Sequence, residues 1–83
     1  MSNIEIYTRP GCGYSTHALK LLSSKGLKFT EYDVYTNPQY LVDMHRRTKG
    51  RSYPQVFING RSIGGFEELL NLEQENTLPL QID

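Results

Sequence analysis

The chain has 83 residues, of which 37% are hydrophobic and 22% are charged. This length suits one small globular domain, and the composition is too apolar for a disordered tail. Nine basic residues balance nine acidic ones, and no apolar run approaches the length of a membrane span. We therefore expect neither nucleic acid nor a membrane as a partner, because nucleic-acid-binding domains usually carry a basic excess.

Apolar spacings predict two strand–helix pairs in the first 50 residues. The strands cover 4–7 and 27–34, and the helices cover about 14–25 and 37–49. Gly26 is expected to end the first helix, because glycine adopts the left-handed conformation that often follows a helix C-terminus. Asn37 and Pro38 favour the start of the second helix, since asparagine caps free N–H groups and proline fits the first turn.

The rest of the chain predicts a β-hairpin followed by a helix. Residues 55–58 and 61–63 flank Asn59-Gly60, the pair preferred in a two-residue hairpin turn. A last helix is predicted over about 66–76, and the apolar tail 78–82 is expected to pack back on the core. The order β-α-β-α-β-β-α predicts one α/β domain over 1–83, with a four-stranded mixed sheet whose first two strands are parallel.

Cys12 is the one cysteine of the chain, which excludes an intramolecular disulfide and favours a reducing, cytoplasmic location. The N-terminal residues also lack the basic start and long apolar stretch of a signal peptide. Cys12 lies between the first strand and the first helix, where a helix N-terminus stabilises a thiolate. Arg9 adds positive charge nearby, so we predict a reactive thiol rather than a buried structural cysteine.

The segment Cys12-Gly13-Tyr14-Ser15 has the spacing of the redox motif C-x-x-C, with serine in place of the second cysteine. Its position at a strand-to-helix junction strengthens this interpretation. Ser15 cannot act as a resolving cysteine, and its hydroxyl is expected to hydrogen-bond to the backbone at the helix start.

Two further segments lie where a ligand could contact the backbone. Pro54 precedes the third strand, and a cis bond there would leave the N–H and C=O of Tyr53 facing a ligand. An ordinary proline at a strand start is the alternative. Gly64 and Gly65 precede the last helix, where backbone N–H groups can approach an anion, with a simple turn as the alternative.

Together these segments resemble the glutaredoxin family from Ile4 to about Leu72. The resemblance rests on Y-T-R at 7–9, C-G-Y-S at 12–15, R-S-Y-P-Q-V-F-I-N-G at 51–60 and I-G-G at 63–65. It implies the thioredoxin fold, which agrees with the predicted order of elements. It also implies a cis bond before Pro54 and a glutathione-binding turn at Gly64-Gly65.

The resemblance further implies that glutathione is the co-substrate and that Cys12 is the nucleophile. The glycine carboxylate of glutathione would be held by Arg9, which stands where the family usually has lysine, or by Arg51. The ring and hydroxyl of Tyr14 would line the groove.

The other implied contacts are with the second half of the chain. The backbone of Tyr53 would pair with the cysteine of glutathione, like an added strand. Backbone N–H groups of Gly65, Phe66 and Glu67 would hold the γ-glutamyl carboxylate. Glu67 or Glu68 would take the ammonium group.

The chain departs from the family pattern in the motif and at the last helix. Gly13 stands where proline is common, Ser15 where dithiol members have cysteine, and Phe66 where a further cysteine is frequent. Tyr14 differs from the phenylalanine of the monothiol motif C-G-F-S. We interpret Ser15 as an engineered replacement of cysteine that would trap a mixed disulfide with glutathione, and a natural C-G-Y-S motif is the alternative.

Two functions follow from the resemblance. The first is monothiol reduction of protein–glutathione mixed disulfides by a monomer, with glutathione and glutathionylated proteins as partners. The second is [2Fe–2S] carriage by a dimer, in which Cys12 of each protomer and two glutathiones supply the ligands; Gly13 favours this because it lacks the proline ring. No other metal site is predicted. A non-catalytic binding module remains only if Cys12 is unreactive.

Overall fold

The computed structural model describes residues 3–75, in which strands and helices follow the predicted order. The strands are β1 (Ile4–Thr8), β2 (Thr30–Asp33), β3 (Gln55–Ile58) and β4 (Arg61–Gly64); the helices are α1 (Gly13–Ser24), α2 (Pro38–Arg47) and α3 (Phe66–Gln74). Within this part of the chain, no helix combines the length and apolar character that a membrane crossing requires.

The four strands form one mixed sheet in the order β2-β1-β3-β4. β1 is parallel to β2 and antiparallel to β3, and β3 and β4 form an antiparallel hairpin. The predicted α/β class and four-stranded mixed sheet are therefore confirmed. Asn59 and Gly60 turn the hairpin with φ angles of 53° and 81°, as a turn with two left-handed residues requires.

Three predicted elements differ from the structure by two residues or more at one end. β2 covers four residues instead of 27–34. The register pairs Thr30 with Glu5, the second residue of β1, so a β2 that began at residue 27 would extend past the start of β1. α2 ends two residues before the predicted 49, since Thr48 has extended backbone angles. α3 ends at Gln74 rather than 76, and the predicted packing of the tail 78–82 lies outside the described residues.

The sheet is covered on both faces, because alternate residues of its strands point in opposite directions. On one face, Ile4 and Ile6 pack with Ala18 and Leu22 of α1 and Leu69 of α3. On the other face, the core cluster contains Tyr7, Val34, Met44 and Phe57.

A charged network around Arg47 lies on the second face of the sheet. The Arg47 guanidinium donates to both carboxylate oxygens of Glu5 at 2.8 and 3.1 Å, and to the Tyr7 hydroxyl at 3.0 Å. It also lies 4.0 Å from the centre of the Phe57 ring. Alternation along β1 places Glu5 and Tyr7 on one face, and α2 brings Arg47 to them.

The topology brings three chain segments to one edge of the sheet. Because β1 and β3 are antiparallel, with Tyr7 opposite Gln55, the end of β1 lies beside the start of β3. β4 runs back alongside β3, pairs Gly64 with Val56 and leads into α3. The loop before α1, the loop before β3 and the start of α3 therefore meet at this edge.

Candidate active site

Cys12 occupies the N-cap position of α1, with extended backbone angles of −90° and 113°. Its backbone N–H donates to the Arg9 carbonyl at 3.2 Å, which closes the turn between β1 and α1. The thiol is partly exposed. The side chain at this position faces the free N–H groups of the first helical turn, so the helix start holds the sulfur in a polar setting.

The pKa of the Cys12 thiol lies below its ordinary value, chiefly because the backbone N–H of Ser15 is directed towards the sulfur and stabilises the thiolate. Burial opposes this effect, while the Ser15 hydroxyl, the backbone N–H of Tyr14 and the charge of Arg9 lower the pKa further. Each of these donors is oriented by the first turn of α1 or by the loop before it. The arrangement favours the thiolate, which is the nucleophilic form of cysteine.

Ser15 is only 2% exposed, although it stands at the motif position that a second cysteine would occupy. Its hydroxyl oxygen accepts a hydrogen bond from the backbone N–H of Arg9 at 3.5 Å. The predicted hydrogen bond between this hydroxyl and the backbone is therefore confirmed. Since a hydroxyl accepts and donates, its own proton remains available to the sulfur of Cys12.

The loop before β3 faces the sulfur directly. The thiol of Cys12 donates to the carbonyl oxygen of Tyr53 at 3.6 Å. The Tyr53–Pro54 bond is cis, as the resemblance implied. Pro54 is fully buried, so the loop is packed against the body of the protein rather than lying free.

Gln55, the first residue of β3, anchors this loop. Its side-chain amide donates to the Ser52 carbonyl at 2.8 Å and to the Ser52 hydroxyl at 3.3 Å, and Gln55 is only 4% exposed. A Cβ atom on Gly50 would lie 2.7 Å from the same amide, so glycine leaves the room that the side chain needs. Gln55 was not among the predicted site residues; a polar residue entering an apolar strand is the signal that could have identified it.

A groove of about 320 Å³ lies beside Tyr53, whose carbonyl oxygen contacts the Cys12 thiol. It is lined by Tyr14, Ser52, Tyr53, Gly65, Phe66, Glu67 and Glu68. All of these except Ser52 were predicted site residues.

The rings of Tyr14 and Phe66 stack with their centres 5.9 Å apart, which joins the starts of α1 and α3. His17 is exposed, and its ring lies 6.0 Å from that of Phe66 at the start of α3.

The two predicted arginines have different surroundings. The Arg9 guanidinium lies 5.3 Å from the centre of the Tyr53 ring, next to the groove. The Arg51 guanidinium donates to the carbonyl oxygens of Thr48 and Gly50, at 3.3 and 3.1 Å. Arg9 is therefore placed at the groove, whereas Arg51 supports the loop that precedes it.

Glu67 and Glu68, which were both predicted to take the ammonium group, have different surroundings at the start of α3. Glu68 accepts a hydrogen bond from the backbone N–H of Gly65 at 2.7 Å, so its carboxylate caps the helix. This bond occupies one of the three N–H groups expected to hold a carboxylate, and leaves those of Phe66 and Glu67. A Cβ atom on Gly65 would lie 3.3 Å from the Pro54 carbonyl oxygen, which explains the glycine at this close approach.

No group of three or more His, Cys, Asp or Glu residues within 3–75 is placed to hold a metal ion. Gly13, next to Cys12, is exposed, and a Cβ atom there would meet nothing within 4 Å. The sulfur is therefore not covered by a side chain at position 13.

Comparisons with known proteins agree with this arrangement. Residues 4–63 match the glutaredoxin family model. The chain is 38% identical to glutaredoxin 3 of Escherichia coli over 78 residues, which covers 94% of each chain. It is 40% identical to a glutaredoxin from Brucella melitensis whose solution structure superposes with a TM-score of 0.72, covering 88% of this chain and 79% of that one.

The fold is also shared with a more distant structure. A buckwheat glutaredoxin, solved as a complex with glutathione, superposes with a TM-score of 0.82 at 21% identity, covering 93% of this chain and 73% of that one. At this identity the likeness shows the thioredoxin fold alone.

Proposed function

Because the chain belongs to the glutaredoxin family, whose members are thiol–disulfide oxidoreductases, we propose that it reduces protein–glutathione mixed disulfides through Cys12 alone. The observation that carries this proposal is the placement of one partly exposed thiol at the start of α1, beside a groove that reaches the start of α3. The donors around the sulfur favour the thiolate, and the chain contains no second cysteine to form an internal disulfide.

The proposed cycle has two exchanges, and each forms one disulfide bond and breaks another. The Cys12 thiolate attacks the glutathione sulfur of the mixed disulfide, and the substrate protein leaves as a thiolate that takes a proton from water. Cys12 is then joined to glutathione. A second glutathione thiolate attacks that glutathione sulfur, which releases glutathione disulfide and restores the Cys12 thiolate.

The groove offers contacts for each part of glutathione. The remaining N–H groups at the start of α3 suit the γ-glutamyl carboxylate, because a helix N-terminus favours anions. The exposed carboxylate of Glu67 suits the ammonium group, since that of Glu68 already caps the helix. Arg9 suits the glycine carboxylate, and the backbone of Tyr53 suits the central peptide unit, like an added strand. These contacts would select the glutathione sulfur over the protein sulfur for attack.

An intact-mass measurement tests the proposal. The reduced protein is incubated with glutathione disulfide, and we expect one added glutathione, which is lost when free thiol is supplied. Cys12→Ser should gain none. In Ser15→Cys the new thiol should displace the glutathione and leave an internal disulfide. If the unmodified protein forms no adduct at neutral pH, or if Cys12→Ser still reduces glutathionylated proteins, the proposal is wrong.

A second candidate function is the carriage of a [2Fe–2S] cluster, favoured by the open space next to Gly13. Cys12 would supply one thiolate of four, so a dimer and two glutathiones would have to supply the rest. Anaerobic reconstitution with iron, sulfide and glutathione tests this. A coloured dimer with two bound glutathiones per cluster would support it, and a colourless monomer would contradict it.

A further inference from the structure

The ring of Phe66, the first residue of α3, packs against the start of α1. Its centre lies 5.9 Å from that of Tyr14, with an angle of 29° between the ring planes, and 6.0 Å from that of His17. Tyr14 and His17 are three positions apart on α1, so they lie on one side of that helix. Both are exposed. The ring of Phe66 therefore joins the two helices at their starts, on the surface of the molecule.

The two helices run side by side in the same direction. Their starts meet at the stacked rings of Tyr14 and Phe66, and near their ends the ammonium group of Lys25 lies 3.2 Å from the Glu73 carboxylate. Between these contacts, Leu69 packs with residues of α1 in the buried core. The N-terminal ends of both helices, where backbone N–H groups are free and the helix dipole is positive, therefore lie at the same end of the molecule.

Each of these N-terminal ends has its own part in the proposed reaction. The start of α1 holds the sulfur of Cys12, and the start of α3 offers the backbone N–H groups of Phe66 and Glu67. The first helical hydrogen bond of α3 is donated by Leu69 to the Gly65 carbonyl at 3.1 Å, so these two N–H groups have no acceptor within the helix. One glutathione molecule has to reach both ends, because its sulfur and its γ-glutamyl carboxylate belong to one chain. The distance between the two helix starts is therefore a condition for binding.

We propose that the side chain of Phe66 is a positioning group for glutathione: by stacking on α1, its ring holds the N–H groups at the start of α3 at the distance from the Cys12 thiol that one glutathione molecule spans. The ring and one of these N–H groups belong to the same residue, so the packing of the ring fixes the direction of the donor. A site that is already held in its binding geometry loses less entropy when the ligand binds. The inference rests on the proposed function, because it takes glutathione as the ligand, and it adds a side chain that sets the affinity.

Three substitutions separate ring stacking from apolar packing. Phe66→Leu keeps an apolar side chain against the core but removes the ring, whereas Phe66→Tyr keeps the ring. Phe29→Leu is the matched control, because Phe29 packs against the same core cluster as Phe66. Its neighbour Thr30 pairs with Glu5 near the start of β1, whereas Cys12 follows the end of β1, so this control removes a ring at the opposite end of the sheet.

The experiment measures the Kd of S-methylglutathione, which cannot form a disulfide, by calorimetry at pH 7, with folding checked by urea denaturation. We expect Phe66→Leu to raise this Kd about three- to tenfold, which is the scale of one aromatic pair. Phe66→Tyr and Phe29→Leu should bind like the unmodified protein. The KM for a glutathionylated peptide should rise with the Kd while kcat changes little. The rate at which iodoacetamide alkylates Cys12 should not change, since the donors to its sulfur belong to α1 and the loop before it.

His17→Ala provides a second test that does not alter the core, because His17 is exposed and does not line the groove. It removes one of the two ring contacts of Phe66 and should raise the Kd by a smaller factor. In a Tyr14→Leu protein, which has already lost the stack, Phe66→Leu should have less effect than in the unmodified protein.

Unchanged affinity in a folded Phe66→Leu protein would overturn the positioning role and leave the proposed function intact. An equal loss of affinity in Phe29→Leu would also overturn it, because a general weakening of the fold would then be the cause. Weak binding by Phe66→Tyr would contradict a role for the ring. If the unmodified protein itself binds no S-methylglutathione, the proposed glutathione site is wrong and the inference fails with it.

Discussion

The side-chain amide of Gln55 donates a hydrogen bond to the Ser52 carbonyl oxygen at 2.8 Å and a second one to the Ser52 hydroxyl at 3.3 Å. These bonds join the first residue of β3 to the loop that presents Tyr53 to the thiol. Gln55 does not line the groove. The loop that presents the Tyr53 carbonyl is therefore anchored by a buried residue outside the groove.

Gln55→Leu is expected to raise the KM for a glutathionylated peptide about fivefold, because one loop anchor worth about 1 kcal/mol is lost. The pKa of Cys12 should change little, since the donors to its sulfur belong to α1 and the loop before it. Steady-state kinetics and the pH dependence of Cys12 alkylation measure the two effects separately. Gln74→Leu, at an exposed position at the end of α3, is the matched control. An unchanged KM in a folded Gln55→Leu protein would contradict the anchoring role.

Ser15→Ala is expected to raise the pKa of Cys12, because it removes a hydroxyl donor to the thiolate while the backbone N–H of Ser15 remains. The midpoint of the rate of alkylation by iodoacetamide against pH should move to higher pH. Ser62→Ala, at an exposed position in β4, should leave it in place. Equal midpoints in all three proteins would show that the hydroxyl does not reach the sulfur.

The same donors make the stability of the fold depend on pH. The pKa of Cys12 is lower in the folded chain than its ordinary value, so the thiolate contributes stability above the unfolded pKa. This contribution is lost as the pH falls through the folded pKa. Urea denaturation over the neutral to alkaline range should show a smaller gain of stability with pH for Cys12→Ala than for the unmodified protein.

Arg47→Met is expected to lower the free energy of unfolding by about 2 kcal/mol, since it removes charge-assisted hydrogen bonds to Glu5 in a partly exposed setting. The hydrogen bonds from Arg47 hold the pKa of the Glu5 carboxyl below its ordinary value. The pair therefore stabilises the fold above the unfolded pKa of the carboxyl and loses this effect as the pH falls through the lower, folded value.

Urea denaturation at pH 7 and in acid checks this prediction. The difference between Arg47→Met and the unmodified protein should shrink as the pH falls below the range in which Glu5 is ionised. Arg46→Met is the matched control, because Arg46 is exposed on the same helix and, within residues 3–75, makes no ion pair. A loss of stability as large in the control as in Arg47→Met would show that the ion pair is not its cause.

Glu67 and Glu68 are expected to respond differently to substitution. Glu67→Gln should raise the Kd for S-methylglutathione about two- to fivefold, which is the effect expected when one exposed ion pair is lost. Added salt should reduce this effect, because it screens exposed charges. Glu68→Ala should lower the free energy of unfolding by about 1 kcal/mol, because the cap of α3 is lost. Calorimetry and urea denaturation of both variants test the assignment, which is wrong if Glu68→Ala alone weakens binding and leaves stability intact.

Local patterns in the sequence were sufficient for most of the fold. The strand and helix spacings, the Asn37 cap, the left-handed Gly26 just after α1 and the Asn59-Gly60 turn each depend on residues within a few positions of one another. Such features are decided by backbone conformation and by nearest neighbours. The position of Cys12 at the start of α1 was predictable for the same reason, since it follows from a strand that ends and a helix that begins.

The tertiary structure alone decided which polar groups are partners. Glu5 and Arg47 are 42 positions apart and meet only because the face that β1 presents is covered by α2. The way the loops and α3 dock on the sheet decides where each arginine near the groove points. It also decides that Glu68, rather than Glu67, caps Gly65.

The contact between Cys12 and Tyr53 requires β1 and β3 to be antiparallel neighbours, which brings the end of one strand beside the start of the other. Sequence spacing determines which face or turn a side chain occupies, but a hydrogen bond also requires strand register and helix docking to place both partners within about 3 Å of each other.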